Sequence, residues 1–172
     1  DEVPVTNAEF GRFVGATGYV TLAERLTPAG SAVFMRPAGP VRAMDPSLWW
    51  EFREGACWRR PLGGQSNLDG LDDHPVVHVA YEDAARYAAW AGKRLPTEIE
   101  WEYAARGGLD GADYAWGSQL APEGAMLANY WQGEFPHENR MLDGWERTSP
   151  VRSYPANGYG LYDMVGNVWE WT

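Results

Sequence analysis

Twenty glycines and twelve prolines interrupt this 172-residue chain without a fixed period, and no other feature limits its fold as strongly. Proline removes a backbone donor and glycine removes conformational bias, so long unbroken helices and a wide sheet are both disfavoured. The lack of period excludes collagen. Ten Trp and nine Tyr exclude disorder, because a chain this aromatic has apolar surface to bury. The length suits a single domain over residues 1–172, whose start at Asp1 and end at Thr172 read as trimmed from a longer protein. The aromatics run from Tyr19 to Trp171, so many must line grooves and loops. The expected class is α+β: two or three short helices packed beside small antiparallel sheets, with many ordered loops.

The formal charge of −10 and the absence of any Lys/Arg run argue against nucleic acid as a partner, since phosphate binding needs a basic face. Carboxylates gathered in loops suit hard cations instead, although a solvated acidic surface is the plainer alternative. No run of apolar residues is long enough for a membrane span, and no signal peptide opens the chain. A single cysteine, Cys57, excludes an internal disulfide framework. It fits a reducing compartment, the bacterial cytoplasm in first place, and leaves secretion open.

Thr6 and Glu9 form a capping-box signature, and Phe10, Phe13 and Val14 follow at helical spacing, predicting a helix that stops at Gly18. Residues 19 to 73 carry Pro28, Pro37, Pro40, Pro46 and Pro61 without periodicity and read as an ordered loop. Trp49, Trp50 and Trp58 assign that loop a role as the wall of a cleft. The run His74 to Val79 reads as a half-buried strand. Helices are predicted over Tyr81 to Trp90, ended by Gly92, and from the Thr97 cap with Glu100 at its third position to Gly107-Gly108. Further strands are expected near Ser153-Tyr154 and over Val168 to Trp171. No internal repeat is present.

Six segments, taken in order, resemble the formylglycine-generating enzyme (sulfatase-modifying factor) family, prokaryotic type. They are Pro4 to Phe10, Gly55 to Arg59, Asp73 to Val79, Trp90 to Tyr103, Asn129 to Pro136 and Asn157 to Trp171. Gly92-Lys93-Arg94-Leu95-Pro96-Thr97-Glu98 and Gly166-Asn167-Val168-Trp169-Glu170-Trp171 mark the wider superfamily. Trp131-Gln132-Gly133-Glu134-Phe135-Pro136 narrows it to the formylglycine-generating branch. The resemblance implies a fold similar to the C-type lectin scaffold. It also implies an oxidase that converts a cysteine within Cys-x-Pro-x-Arg of an unfolded sulfatase to Cα-formylglycine, using O2 and a thiol reductant. The family's catalytic cysteine pair, which binds copper(I), lies C-terminal to the Trp169-Glu170-Trp171 segment, so Cu(I) would sit on cysteines outside this chain. The resemblance further implies a longer segment between Glu24 and Ala32 than is found here.

Without the family, Asn129, Glu134, Glu138, Asn139 and Asp143 place five oxygen-bearing side chains in one aromatic loop, a density that suits calcium. The resemblance reduces these to a first Ca2+ site of Asn129 and Asp143 with the backbone carbonyls of Tyr130 and Trp145. A second Ca2+ site is expected from Asp163 and Glu170 with the carbonyls of Gly166 and Val168, on residues that would also read as a strand. Trp169 is expected to wall the active-site cleft.

His74 and His78 read as structural histidines rather than ligands, lacking a third ligand of suitable type nearby. Glu98, Glu100 and Glu102 read as helix-capping and first-turn charges rather than acid/base pairs. Cys57 reads as a small hydrophobe. Two other functions compete with the oxidase: a non-catalytic peptide- or glycan-binding module on the same fold, and an iron-dependent sulfoxide synthase relative.

Overall fold

Helix α1 (Asn7–Thr17) forms where the spacing predicts it, and its ends explain why it stays short. The Thr6 hydroxyl accepts from Glu9 N (3.2 Å) while the Glu9 carboxylate accepts from Thr6 N (3.0 Å). Gly18, at φ 67°, closes the other end. The apolar face of α1 buries Phe10, Phe13 and Val14 against Trp58. Rings meet edge to face, Phe10 at 5.2 Å from Trp58 and Phe13 at 5.7 Å from Tyr87. Each fully buried Phe contributes roughly 1.5–3 kcal/mol, which makes this cluster the stabilising centre of the fold. The computed structural model describes residues 1–42 and 44–172; Ala43, inside the predicted 19–73 loop, lies outside the described residues.

The loop is more regular than its sequence suggests. It holds helix α2 (Leu22–Arg25) and two antiparallel strands, β1 (Gly30–Phe34) and β2 (Trp50–Glu54), paired from Gly30↔Glu54 to Phe34↔Trp50. Strand pairing across a proline-rich connection leaves no local signal, so periodicity misses it. Trp49 and Trp50 line the large cavity described below, as does Phe34, but Trp58, expected beside them, packs in the core against α1 instead. Between Glu24 and Ala32 the link from α2 to β1 is the short stretch 26–29.

Helices α3 (Tyr81–Trp90) and α4 (Glu98–Arg106) also lie where expected. Thr97 and Glu100 form the predicted reciprocal cap, and Gly107 at φ 57° ends α4. Asp83 of α3 is fully buried, and its carboxylate accepts from Tyr19 Oη (2.9 Å), Leu22 N (3.1 Å) and Ala80 N (2.9 Å). These donors offset the desolvation of the charge and pin residues 19–22 to α3.

Three expected strands do not form. At 74–79 only Pro75 bridges, to Thr6, and His78 at φ 57° breaks the alternation. Around Ser153-Tyr154, Arg152 at φ 65° turns the chain. Before Val168 to Trp171, Asp163 (φ 54°) and Asn167 (φ 60°) do the same, so Val168 and Glu170 do not belong to a strand. Left-handed backbone at a non-glycine residue is incompatible with a continuing ladder.

From residue 125 to residue 172 no helix or strand occurs among the described residues. Side chains take over the work of a ladder. Asn157 donates from Nδ2 to Ala104 O (2.7 Å) while its Oδ1 accepts from Tyr159 N (2.9 Å) and Leu161 N (3.1 Å), joining the last segment to α4. Trp171 Nε1 donates to Val79 O (2.9 Å). Between this segment, the β1–β2 pair and the start of α4 lies a cavity of about 1660 Å³. Among the described residues, no helix is long and apolar enough to cross a membrane.

Candidate metal centre

The first expected cation site is assembled around Asp143. Its Oδ2 accepts from Tyr130 N (3.1 Å) and Gln132 Nε2 (2.8 Å), and its Oδ1 from Trp145 N (3.0 Å). Tyr130 and Trp145 are thereby drawn to Asp143, with Asn129 next to Tyr130 in the chain. Asn129 donates from Nδ2 to Arg147 O (2.7 Å); its Oδ1 is the oxygen that the expected site would use. The Gln132 amide also donates to Tyr130 O, so one neutral donor bridges two of the expected ligand oxygens. A cation takes the same pair of oxygens only by displacing that amide.

The second expected site carries clearer electrostatics. Asp163 accepts from Arg152 N at 2.8 Å and Glu170 accepts from Trp101 Nε1 at 2.6 Å. Burial raises the Asp163 pKa, against hydrogen bonds from Arg152 and Asn167 that lower it. Glu170 is exposed as a residue, yet crowding around its carboxyl raises its pKa too; the Trp101 bond lowers it and the Asp163 charge raises it again. Two carboxyls that each resist ionisation, one adding to the cost of the other, are the kind of pair that a hard dication would relieve. Gly166 stands at φ 80°, and a Cβ there would land on Asn129 O, so the segment can dock on Asn129 only with glycine. Val168 and Glu170 border the large cavity, while Asp163 borders a smaller one of about 300 Å³.

Both donor sets are oxygen-rich, and among the described residues no three His, Cys, Asp or Glu side chains converge. That composition fits calcium, whose coordination draws on carbonyls, amides and water, better than a softer ion. The chain does not fit copper(I). Its one thiol, Cys57, is buried in a turn where its backbone bridges Arg60, and a second thiolate is lacking.

The remaining candidates separate. Glu134 and Glu138 are exposed and face His137 and Arg140, while Asn139 Oδ1 accepts from Met141 N (3.0 Å) and Gln132 N (3.5 Å) rather than joining Asp143 directly. His74 Nδ1 pairs with Thr148 Oγ1 (3.0 Å). His78 is held on both ring nitrogens, by Ser31 Oγ (2.9 Å) and Pro61 O (2.7 Å). Burial lowers both histidine pKa values, against the bonds to Thr148 and Pro61 that raise them. Glu98, Glu100 and Glu102 sit on α4, where Glu100 completes the cap and Glu102 pairs with Arg106. Trp169 borders the large cavity and is fully exposed.

Sequence reasoning assigned no role to Gln132, Asn167 or Tyr154. Gln132 is buried and gathers the loop ends, accepting from Leu142 N (2.8 Å). Tyr154 lies near both carboxylates, and burial together with Asp143, Asp163 and Tyr130 pushes its hydroxyl up to about 12. The signal for Asn167 was present in the Gly166-Asn167 pair, since Asn after Gly often marks left-handed backbone.

The sulfatase-modifying factor enzyme 1-like domain matches residues 1–172. A protein named formylglycine-generating enzyme from Mycobacterium tuberculosis is 56% identical over 98% of this chain and 60% of its own length. A Bos taurus protein named inactive C-alpha-formylglycine-generating enzyme 2 is 47% identical over 100% of the chain and 58% of its own length. The chain thus spans about three-fifths of these relatives. Among solved structures, PvdO from Pseudomonas aeruginosa superposes with a TM-score of 0.54 at 27% identity, covering 99% of this chain and 54% of that one. The short capped helices, the small antiparallel sheet and the side-chain-knitted C-terminal segment are therefore those of a relative of these proteins, and the chain belongs to the sulfatase-modifying factor enzyme 1-like family.

Proposed function

We propose that this chain is the calcium-bearing scaffold of a formylglycine-generating enzyme, which oxidises a cysteine in Cys-x-Pro-x-Arg of an unfolded sulfatase to Cα-formylglycine. The reaction balances with one O2 and two thiols. Two electrons come from the cysteine side chain as its carbon becomes an aldehyde, and two from the thiols as they join in a disulfide. Sulfur leaves as hydrogen sulfide, one oxygen atom enters the aldehyde and the other leaves as water. Copper(I), the metal assigned to the oxidation step, belongs to a cysteine pair that these 172 residues do not contain, and a bacterial cytoplasm is the compartment assigned.

The observation that carries the reading is the cavity of about 1660 Å³, walled by Phe34, Trp49 and Trp50 on one side and Trp101 and Trp171 on another. Small-molecule sites are usually about 300–1,000 Å³, so this space suits an extended peptide. Calcium would be held by Asn129, Tyr130, Asp143 and Trp145 at one site and by Asp163, Gly166, Val168 and Glu170 at the other. There it would neutralise carboxylates that the fold otherwise leaves partly desolvated. Within this reading the chain's own residues shape and dry the peptide groove, and Trp169 supplies an exposed ring at its edge.

A second reading, a non-catalytic peptide- or glycan-binding module, is favoured by the 47% identical relative whose name marks it inactive. The two part on one experiment with the native full-length protein, copper-loaded, given a Cys-x-Pro-x-Arg peptide and excess thiol. Oxygen uptake with the mass change of sulfur leaving and oxygen entering is the expected result. An unchanged peptide that nevertheless binds would select the module.

A further inference from the structure

Asn167 is held at both ends of its side-chain amide. Its Oδ1 accepts from Ser149 N (2.9 Å) and Asn129 Nδ2 (3.4 Å), and its Nδ2 donates to Ser149 O (3.1 Å). The side chain also lies close enough to the Asp163 carboxyl to lower its pKa. Both ends of the amide are thus engaged, the oxygen as a double acceptor and the nitrogen as a donor. The backbone joins in, with Asn167 N donating to Asn129 O (2.8 Å). These bonds hold the residue at φ 60°, a conformation that Asn tolerates better than most side chains.

The partners matter more than their number. Asn129 belongs to the first calcium site and Asp163 to the second, and Ser149 closes the loop whose Arg147 carbonyl orients Asn129. Gly166, next to Asn167, packs its backbone directly on Asn129 O. The loop 129–149 and the segment 163–170 therefore meet at one residue, which bonds Asn129 of the first site and stands in the chain between Gly166 and Val168 of the second.

We propose that Asn167 is a positioning residue that couples the two calcium sites, so that ordering the ligands of one site orders those of the other. The proposal rests on the calcium reading given above. Coupling is reciprocal: calcium at the first site tightens the second by the same factor as the second tightens the first. Two independent sites would show neither effect.

The test is calcium titration of the chain by calorimetry, with terbium luminescence sensitised by tryptophan as a second readout. Two saturable, positively cooperative steps are expected. Asn167→Ala should weaken both by about 10- to 100-fold, as loss of an outer-shell partner typically does, and remove the cooperativity. Asp143→Asn, which damages only the first site and leaves Asn167 in place, should weaken the second about fivefold or more, and Glu170→Gln should do the same to the first. These two variants carry the test even if Asn167→Ala does not fold. A remote site that keeps its affinity in Asp143→Asn and Glu170→Gln would overturn the coupling while leaving calcium binding intact. No saturable binding by the unsubstituted chain would overturn the calcium reading and the coupling with it.

Discussion

Residues 5–106 and residues 125–172 satisfy their backbones by opposite means. In the first region helices α1 to α4 close most of their hydrogen bonds within a few residues, and Phe10, Phe13, Val14 and Trp58 supply the apolar centre. In the second region the described residues form no helix or strand, and Asn129, Gln132, Asp143, Asn157 and Asn167 hold distant backbone groups through their side chains. Order in the helical region rests on burial, so it tolerates the loss of a single polar contact. Order in the knitted region rests on a few polar nodes, each with several partners, and loss of one leaves buried groups unpaired.

The largest effect should come from the centre of the first region. Phe10→Ala removes a fully buried ring that meets Phe13, Trp58 and Tyr87, and is expected to cost about 3–5 kcal/mol in denaturant unfolding. A loss below about 1 kcal/mol would mean that the aromatic cluster repacks and that the contrast between regions is wrong. Gly166→Ala should come next, because its Cβ would strike Asn129 O from a left-handed backbone. About 1–3 kcal/mol is expected for that overpacking. Far-ultraviolet dichroism should keep the helical signal while terbium binding weakens, and loss of the helical signal at the same point would show that the two regions unfold as one.

The same contrast decides what the sequence makes legible. Helices α1, α3 and α4 announce themselves through Thr6 with Glu9, the Ala/Tyr face of α3, and Thr97 with Glu100, all signals confined to one or two turns. The β1–β2 pair was invisible because Gly30 and Glu54 are partners only through the tertiary fold. The supposed strands at 74–79 and 168–171 failed at His78 and Asn167, where left-handed backbone is sustained by contacts from far along the chain. At the metal centre the structure brings Tyr130 and Trp145 to Asp143. Gln132 and Asn167 lie inside the motifs that carry the resemblance, yet what they do was not legible there, because it exists only through groups distant in sequence.

A smaller effect tests local closure. Thr97→Ala removes the hydroxyl that accepts from Glu100 N (3.3 Å) and is expected to cost about 1 kcal/mol, as cap deletions typically do. Calcium affinity should not change, since the cap has no bond into residues 125–172. A weakened calcium step in this variant would show that α4 transmits strain through Trp101 to Glu170, and the regions would then be coupled at that contact.

The smallest effect concerns the surface pair beside that cap. Arg94 forms two bonds of 2.7 Å to Glu100, and this pairing, with the Thr97 backbone N–H second, lowers the Glu100 pKa to about 2. A carboxyl whose folded pKa lies below its ordinary value of 4.5 binds protons more tightly when unfolded. Its contribution is therefore present above that ordinary value and is lost as pH falls from there through the folded value. Exposed pairs contribute little, so Arg94→Ala should barely move stability at neutral pH. It should instead flatten the acid limb of the stability curve and raise the Glu100 midpoint in a carboxyl NMR titration. A midpoint that stays near 2 in Arg94→Ala would transfer the shift to the Thr97 N–H, and closure of the helix end, rather than the ion pair, would then set the acid response of the helical region.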